Sequence, residues 1–92
     1  MVGVREAILA FLRSRGGEAR VYDIMEHLLD LAFREKKIIC MKWVAWEEDG
    51  KVVHWCTGAA EELKGLEKEG VVEIVDDGRS RLNKLVRLVR RP

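Results

Sequence analysis

Ninety-two residues are enough for one small domain with one core, and not for two. With 48% hydrophobic and 36% charged residues the chain reads as globular, which excludes a disordered or low-complexity protein. Net charge is only +1, so a uniformly basic or acidic surface is excluded too.

No apolar run approaches the roughly 18 residues of a membrane span, and the N-terminus has no signal-peptide pattern, so a cytoplasmic protein is expected. The absence of Gln, the single Asn and the abundance of Arg and Glu point toward a thermophilic source. The charge is unevenly spread. From Arg79 to Pro92 there are six cations (Arg79, Arg81, Lys84, Arg87, Arg90, Arg91) and no acid. Such a segment fits either a footprint for phosphate or an edge strand kept from aggregating by its cations.

In chain order, Val4, Ala7, Ile8, Phe11 and Leu12 recur at helical spacing and predict a first helix ending at Gly16-Gly17. Glu18 to Tyr22 is a candidate short strand. Asp23 is placed to begin or cap a second helix, with Ile24, Leu28, Leu31 and Ala32 on its apolar face, running to about Lys36 or Lys37. Residues 38–46 and 52–56 are strand-like and aromatic-rich, and Asp49-Gly50 between them is a strong hairpin signal. That turn pairs Glu48 with Lys51, Trp46 with Val53 and Val44 with Trp55. Trp43, Ala45, His54 and Cys56 then share the other face. Extending the second helix through Trp46 remains a competing reading.

A third helix is predicted from Thr57, its expected N-cap, to Glu69, with Ala59, Ala60, Leu63 and Leu66 buried and Gly58, Glu61, Gly65 and Lys68 facing out. Gly70 ends it. The β-branched run Val71 to Val75, the turn Asp76 to Arg81 and a second apolar-basic run from Leu82 follow.

Helix, strand, basic turn and strand in this order resemble the third helix and wing of a winged helix-turn-helix. Leu63 to Arg81 is similar to the MarR-like and related archaeal winged-helix regulators. Their recognition helix ends in a Leu-Glu-Lys-x-Gly-type sequence, here Leu66 to Gly70, and an acidic-basic wing tip follows, here Asp76, Asp77, Arg79 and Arg81. The resemblance implies an α+β winged-helix domain over residues 1–92. It would have three helices, a C-terminal wing at about 71–90 and an extra hairpin at about 38–56 between helices two and three. It also implies a small DNA-binding transcriptional regulator acting as a homodimer. Arg79 and Arg81 would lie at the DNA and Lys64 and Lys68 near the major groove, with Lys84, Thr57 and Gly58 completing the DNA-facing set.

The predicted third helix also carries Glu61, Glu62, Glu67 and Glu69 against Lys64 and Lys68. Carboxylates near phosphate oppose the counterion release that drives DNA binding. An open acidic face would instead suit a basic protein partner, and Trp43, Trp46 and Trp55 are candidate anchors for an oligomer or partner interface. At least one of them, Trp43 or Trp55, is expected in the core.

His27, Cys40, His54 and Cys56 raise the question of a metal, but only His54 and Cys56 are closely spaced and no C-x-x-C occurs, so neither metal nor cofactor is expected. The hairpin register sends Cys40 and Cys56 to opposite faces, which predicts buried free thiols, although intracellular disulfides do occur in hyperthermophiles. No phosphate-cradling glycine loop, nucleophile elbow or acid-base pair appears, so enzymatic activity is not expected.

Overall fold

The structure, a computed structural model, describes residues 3–36, 40 and 42–89. Expectations for residues 37–39 and 41, and for Arg90 and Arg91, fall outside these. The described residues form a compact α+β fold with three α-helices and two antiparallel sheets. In order these are α1 (Val4–Ser14), β1 (Glu18–Arg20), α2 (Val21–Leu29), β2 (Trp43–Glu48), β3 (Lys51–Cys56), α3 (Thr57–Lys68), β4 (Val72–Ile74) and β5 (Leu85–Leu88). A π-helical turn, Asp30–Arg34, prolongs α2, and a 3-10 turn, Arg81–Asn83, precedes β5.

Two helices end in the same way, and each end launches a strand. In α1, Gly17 N–H donates to Leu12 O at 2.8 Å and Gly16 N–H to Arg13 O at 3.3 Å. In α3, Val71 N–H donates to Leu66 O at 2.9 Å and Gly70 N–H to Glu67 O at 3.1 Å. Gly16 and Gly70 take φ of 75° and 76°, the left-handed conformation that this double hydrogen-bonded cap requires and that a side chain would strain. The emerging chains become β1 and β4, which flank β5 in the order β1-β5-β4. Ala19 opposes Val86 on one side, and Ile74 opposes Val86 on the other. This row faces the helices, while Glu18, Arg87 and Glu73 form the outer row, with Arg87 Nε 3.3 Å from Glu18 Oε2.

The core is built from the predicted helical stripes. Ile8 and Leu12 of α1, Ile24, Met25 and Leu28 of α2, and Leu66 of α3 are almost wholly buried against Val72 and Val86. Alpha2 begins two residues earlier than expected, at Val21. Its N-cap is Arg20, without a side-chain hydrogen bond, and Asp23 lies in the first turn, where its charge suits the helix dipole.

The hairpin has the predicted register. Glu48 pairs with Lys51, Trp46 with Val53 and Val44 with Trp55, around Asp49 and Gly50 at φ of 50° and 77°. Residues 43–46 are thus strand, which overturns the helical alternative for them. The thiol expectation is also overturned, since Cys40 and Cys56 form a disulfide with Cα atoms 6.2 Å apart. Strict face alternation does not carry back to Cys40. Beta2 starts only at Trp43, and Lys42, at φ 62°, breaks the extended backbone between them. Among the described residues, no helix is long and apolar enough to cross a membrane, and no cluster of three metal-ligating side chains occurs.

Two predictions follow from these contacts. A cross-link over 16 residues restricts the unfolded chain, so reduction with dithiothreitol should lower stability by about 2–4 kcal/mol, read as a lower urea midpoint. His27 stacks on Phe11 with ring centroids 4.3 Å apart, and burial lowers its pKa below the ordinary 6.5. Below pH 6.5 the unfolded chain then binds the proton more readily, so stability should fall as pH drops through this region. Replacing the ring by His27→Phe should flatten that fall in thermal unfolding.

Candidate nucleic-acid interface

A groove of about 650 Å³ runs between α3 and the turn joining β4 to β5. Alpha3 contributes Ala60, Lys64 and Glu67, and the turn contributes Asp76, Arg79, Arg81 and Lys84. Four cations thus face two carboxylates. The floor is apolar, made by Val21, Leu63, Ile74 and Trp55.

The turn is shaped by its own acids. Asp77 accepts from the Arg79 backbone N–H at 3.2 Å and pairs with the Arg79 guanidinium at 3.0 Å, while Gly78 supplies φ of 80°. Asp76 takes Lys84 at 3.4 Å. Asn83 closes back on Ser80 through its backbone at 2.9 Å and its side-chain amide at 3.0 Å. Arg81 is held differently, with its guanidinium carbon 5.3 Å from the Trp55 ring centroid. A cation over an indole face keeps its outward hydrogen-bond donors available. On a fully extended tip the alternate residues Arg79 and Arg81 would point the same way. They do share the groove, but Arg81 opens the 3-10 turn and reaches it by resting on Trp55.

The acids of α3 divide between two faces. Arg5 of α1 pairs with Glu62 at 2.9 Å and with Glu69 at 2.6 Å. Arg5 lies where the helix surface is low, since a Cβ at Gly65 would come 3.3 Å from its guanidinium. The pairing holds the Glu69 carboxyl below its ordinary range and pushes Arg5 higher. Glu61 and Glu67 remain exposed with Lys64 and Lys68, so two carboxylates meet two cations on the open faces.

Several expected site residues lie elsewhere. Thr57 is the first residue of α3 and not its cap. Its hydroxyl donates to Lys42 O at 3.2 Å, and the capping acceptor is the Cys56 sulfur, 3.3 Å from Ala59 N. Gly58 and Gly65 do not form an outward face: Gly58 lies against the sulfurs of Cys40 and Cys56, and Gly65 against Arg5. Lys68 is exposed but does not line the groove. Of the tryptophans, Trp55 is buried and floors the groove, while Trp43 and Trp46 are half-buried on the hairpin, Trp46 with its ring centroid 6.3 Å from that of Trp55. Sequence reasoning missed the role of Arg5, which reaches across 57 and 64 residues of chain to its partners.

Comparison with family models, with curated proteins and with solved structures yields no match to this chain.

The Arg5 pairing is open to a direct check. In Arg5→Ala the Glu69 carboxyl should titrate at higher pH than in the parent chain, back toward the ordinary carboxylate range. Side-chain NMR across an acid titration measures it.

Proposed function

We propose that the chain is a winged helix-turn-helix DNA-binding domain acting as a small transcriptional regulator. In this reading α3 is the recognition helix and the β4–β5 turn is the wing. The order helix, strand, helix, helix, strand, strand, with β1 paired to β5, supports it, and the β2–β3 hairpin is then an insertion between the second and third helices. Function does not follow from such an arrangement alone. The observation that carries the proposal is the partition of charge. Arg5 draws Glu62 and Glu69 toward α1, while Lys64, Arg79, Arg81 and Lys84 gather in the groove beside the exposed length of α3.

Chemically, the groove suits a phosphodiester backbone. Guanidinium groups at the wing supply paired donors for phosphate oxygens or a minor-groove edge, and Lys64 adds a point charge from α3. Asp76 and Asp77 hold the wing in shape, and their carboxylates are paired with Lys84 and Arg79. The alternative of a basic protein docking on an acidic third helix is weakened by the same contacts, because Arg5 occupies two of the four carboxylates. No catalytic role is proposed.

The test is a fluorescence-anisotropy titration with random-sequence duplex DNA over a range of salt. Micromolar binding that weakens steeply with salt is expected. The double variant Arg79→Ala with Arg81→Ala should bind all sequences more weakly and reduce the salt slope by about 2. Absence of binding by the parent chain at low salt would refute the proposal. Equal slopes in parent and variant would remove the wing from it.

A further inference from the structure

We propose that the free edge of β2 is a homodimer interface. Two copies would pair β2 with β2 antiparallel about Ala45, joining the hairpins into one four-stranded sheet in the order β3-β2-β2-β3. This goes beyond the DNA reading and stands without it.

The backbone defines which groups are available. The two-residue turn at Asp49 and Gly50 closes on Glu48 paired with Lys51, and such turns make the closing pair hydrogen-bonded. At the other end Thr57 N–H donates to Lys42 O at 3.3 Å. Residues 42, 44, 46 and 48 therefore turn their backbone groups toward β3. Trp43, Ala45 and Glu47 turn theirs away, and no backbone hydrogen bond among the described residues reaches them. Proteins usually block a free edge with a central lysine, proline or bulge. The centre of β2 is Trp43-Val44-Ala45-Trp46 and has none of these.

Charge selects the occupant. Among the described residues, the charges along this edge are Lys42 before the strand and Glu47, Glu48 and Asp49 at its far end, all exposed. A parallel copy would set acid beside acid. An antiparallel copy with Ala45 opposite Ala45 places the Lys42 end of each strand beside the Glu47–Asp49 end of the other, and brings Val44 opposite Trp46. In that register residues 43, 45 and 47 meet 47, 45 and 43, so every outward-facing backbone group finds an outward-facing partner. Ala45, with its small side chain, falls on the two-fold axis. Val44, 47% exposed in the single chain, gains an indole neighbour.

Pairing would also fix the spacing of the DNA-facing helices, because α3 begins at the residue after β3. Three strand spacings across and four residue rises along place the two Cys56 positions about 20 Å apart.

Sedimentation equilibrium without DNA, at high micromolar protein, tests the proposal independently of the DNA titration. The parent chain should sediment as two 10.6 kDa chains. Ala45→Pro removes an outward N–H and leaves the β2–β3 ladder complete, so this variant should be monomeric with an unchanged circular dichroism spectrum. A monomeric parent overturns the proposal, as does a folded Ala45→Pro variant that remains dimeric. If Ala45→Pro does not fold, charge reversal decides. Lys42→Glu should weaken the dimer about tenfold, and Lys42→Glu with Glu48→Lys should restore it. An unchanged dimer in the first, or no recovery in the second, also overturns it.

Discussion

The arrangement of this molecule turns on Cys56. It is the last residue of β3, it is fully buried, its sulfur is bonded to Cys40, and the same sulfur accepts the Ala59 N–H that would otherwise be orphaned at the start of α3. A helix N-terminus leaves its first amide donors unsatisfied, and a buried one must find acceptors or lose stability. Here the acceptor belongs to the strand itself, so no loop intervenes between hairpin and helix. Thr57 reinforces the junction by donating twice, from backbone and hydroxyl, to Lys42 O. The hairpin and α3 are consequently joined directly, strand to helix. Trp55, next to Cys56 on β3, is thereby held under the groove where Arg81 rests on it.

What could be read in the sequence was what local chemistry decides. Asp49-Gly50 set the hairpin register residue for residue, because only that turn gives strands of the correct twist from two left-handed residues. Gly16 and Gly70 marked helix ends, and the apolar stripes of α1, α2 and α3 named most of the core. The misreadings share a different cause. Counting back along a strand places Cys40 on the face opposite Cys56, but Lys42 at φ 62° ends the alternation before Cys40 is reached. Thr57 looked like a cap because caps are usually hydroxyl or carboxylate residues, and nothing local shows that a buried sulfur one residue earlier takes that position.

The candidate site was legible as a set of cations and illegible as a charge distribution. Arg79, Arg81 and Lys84 were identifiable from their concentration in an acid-free stretch. Whether α3 is acidic depends on where its carboxylates point, and that is settled by α1. Glu62 and Glu69 are seven residues apart, two helical turns, and so lie on one side of α3. A single guanidinium fork from Arg5 meets both, with Gly65 between them leaving room for it to lie close. No pattern within α3 reports this, because the partner lies more than fifty residues away.

The pairing has a consequence for how the two faces of α3 divide their tasks. Exposed ion pairs contribute little to stability, so Arg5 is not well explained as a brace between α1 and α3. Its effect on the field is larger in proportion. Two carboxylates at the α1 face share one cation and are held away from the groove, where Glu67 and Asp76 are the lining acids, opposite Lys64, Arg79, Arg81 and Lys84. Of those two, Asp76 is tied to Lys84. A helix with net negative charge can thus present a cationic groove, provided its acids are sorted by the helix packed behind it. On this argument the sequence charge of α3 misleads about the charge lining the groove, which the packing of α1 against α3 shapes as much as the β4–β5 turn does.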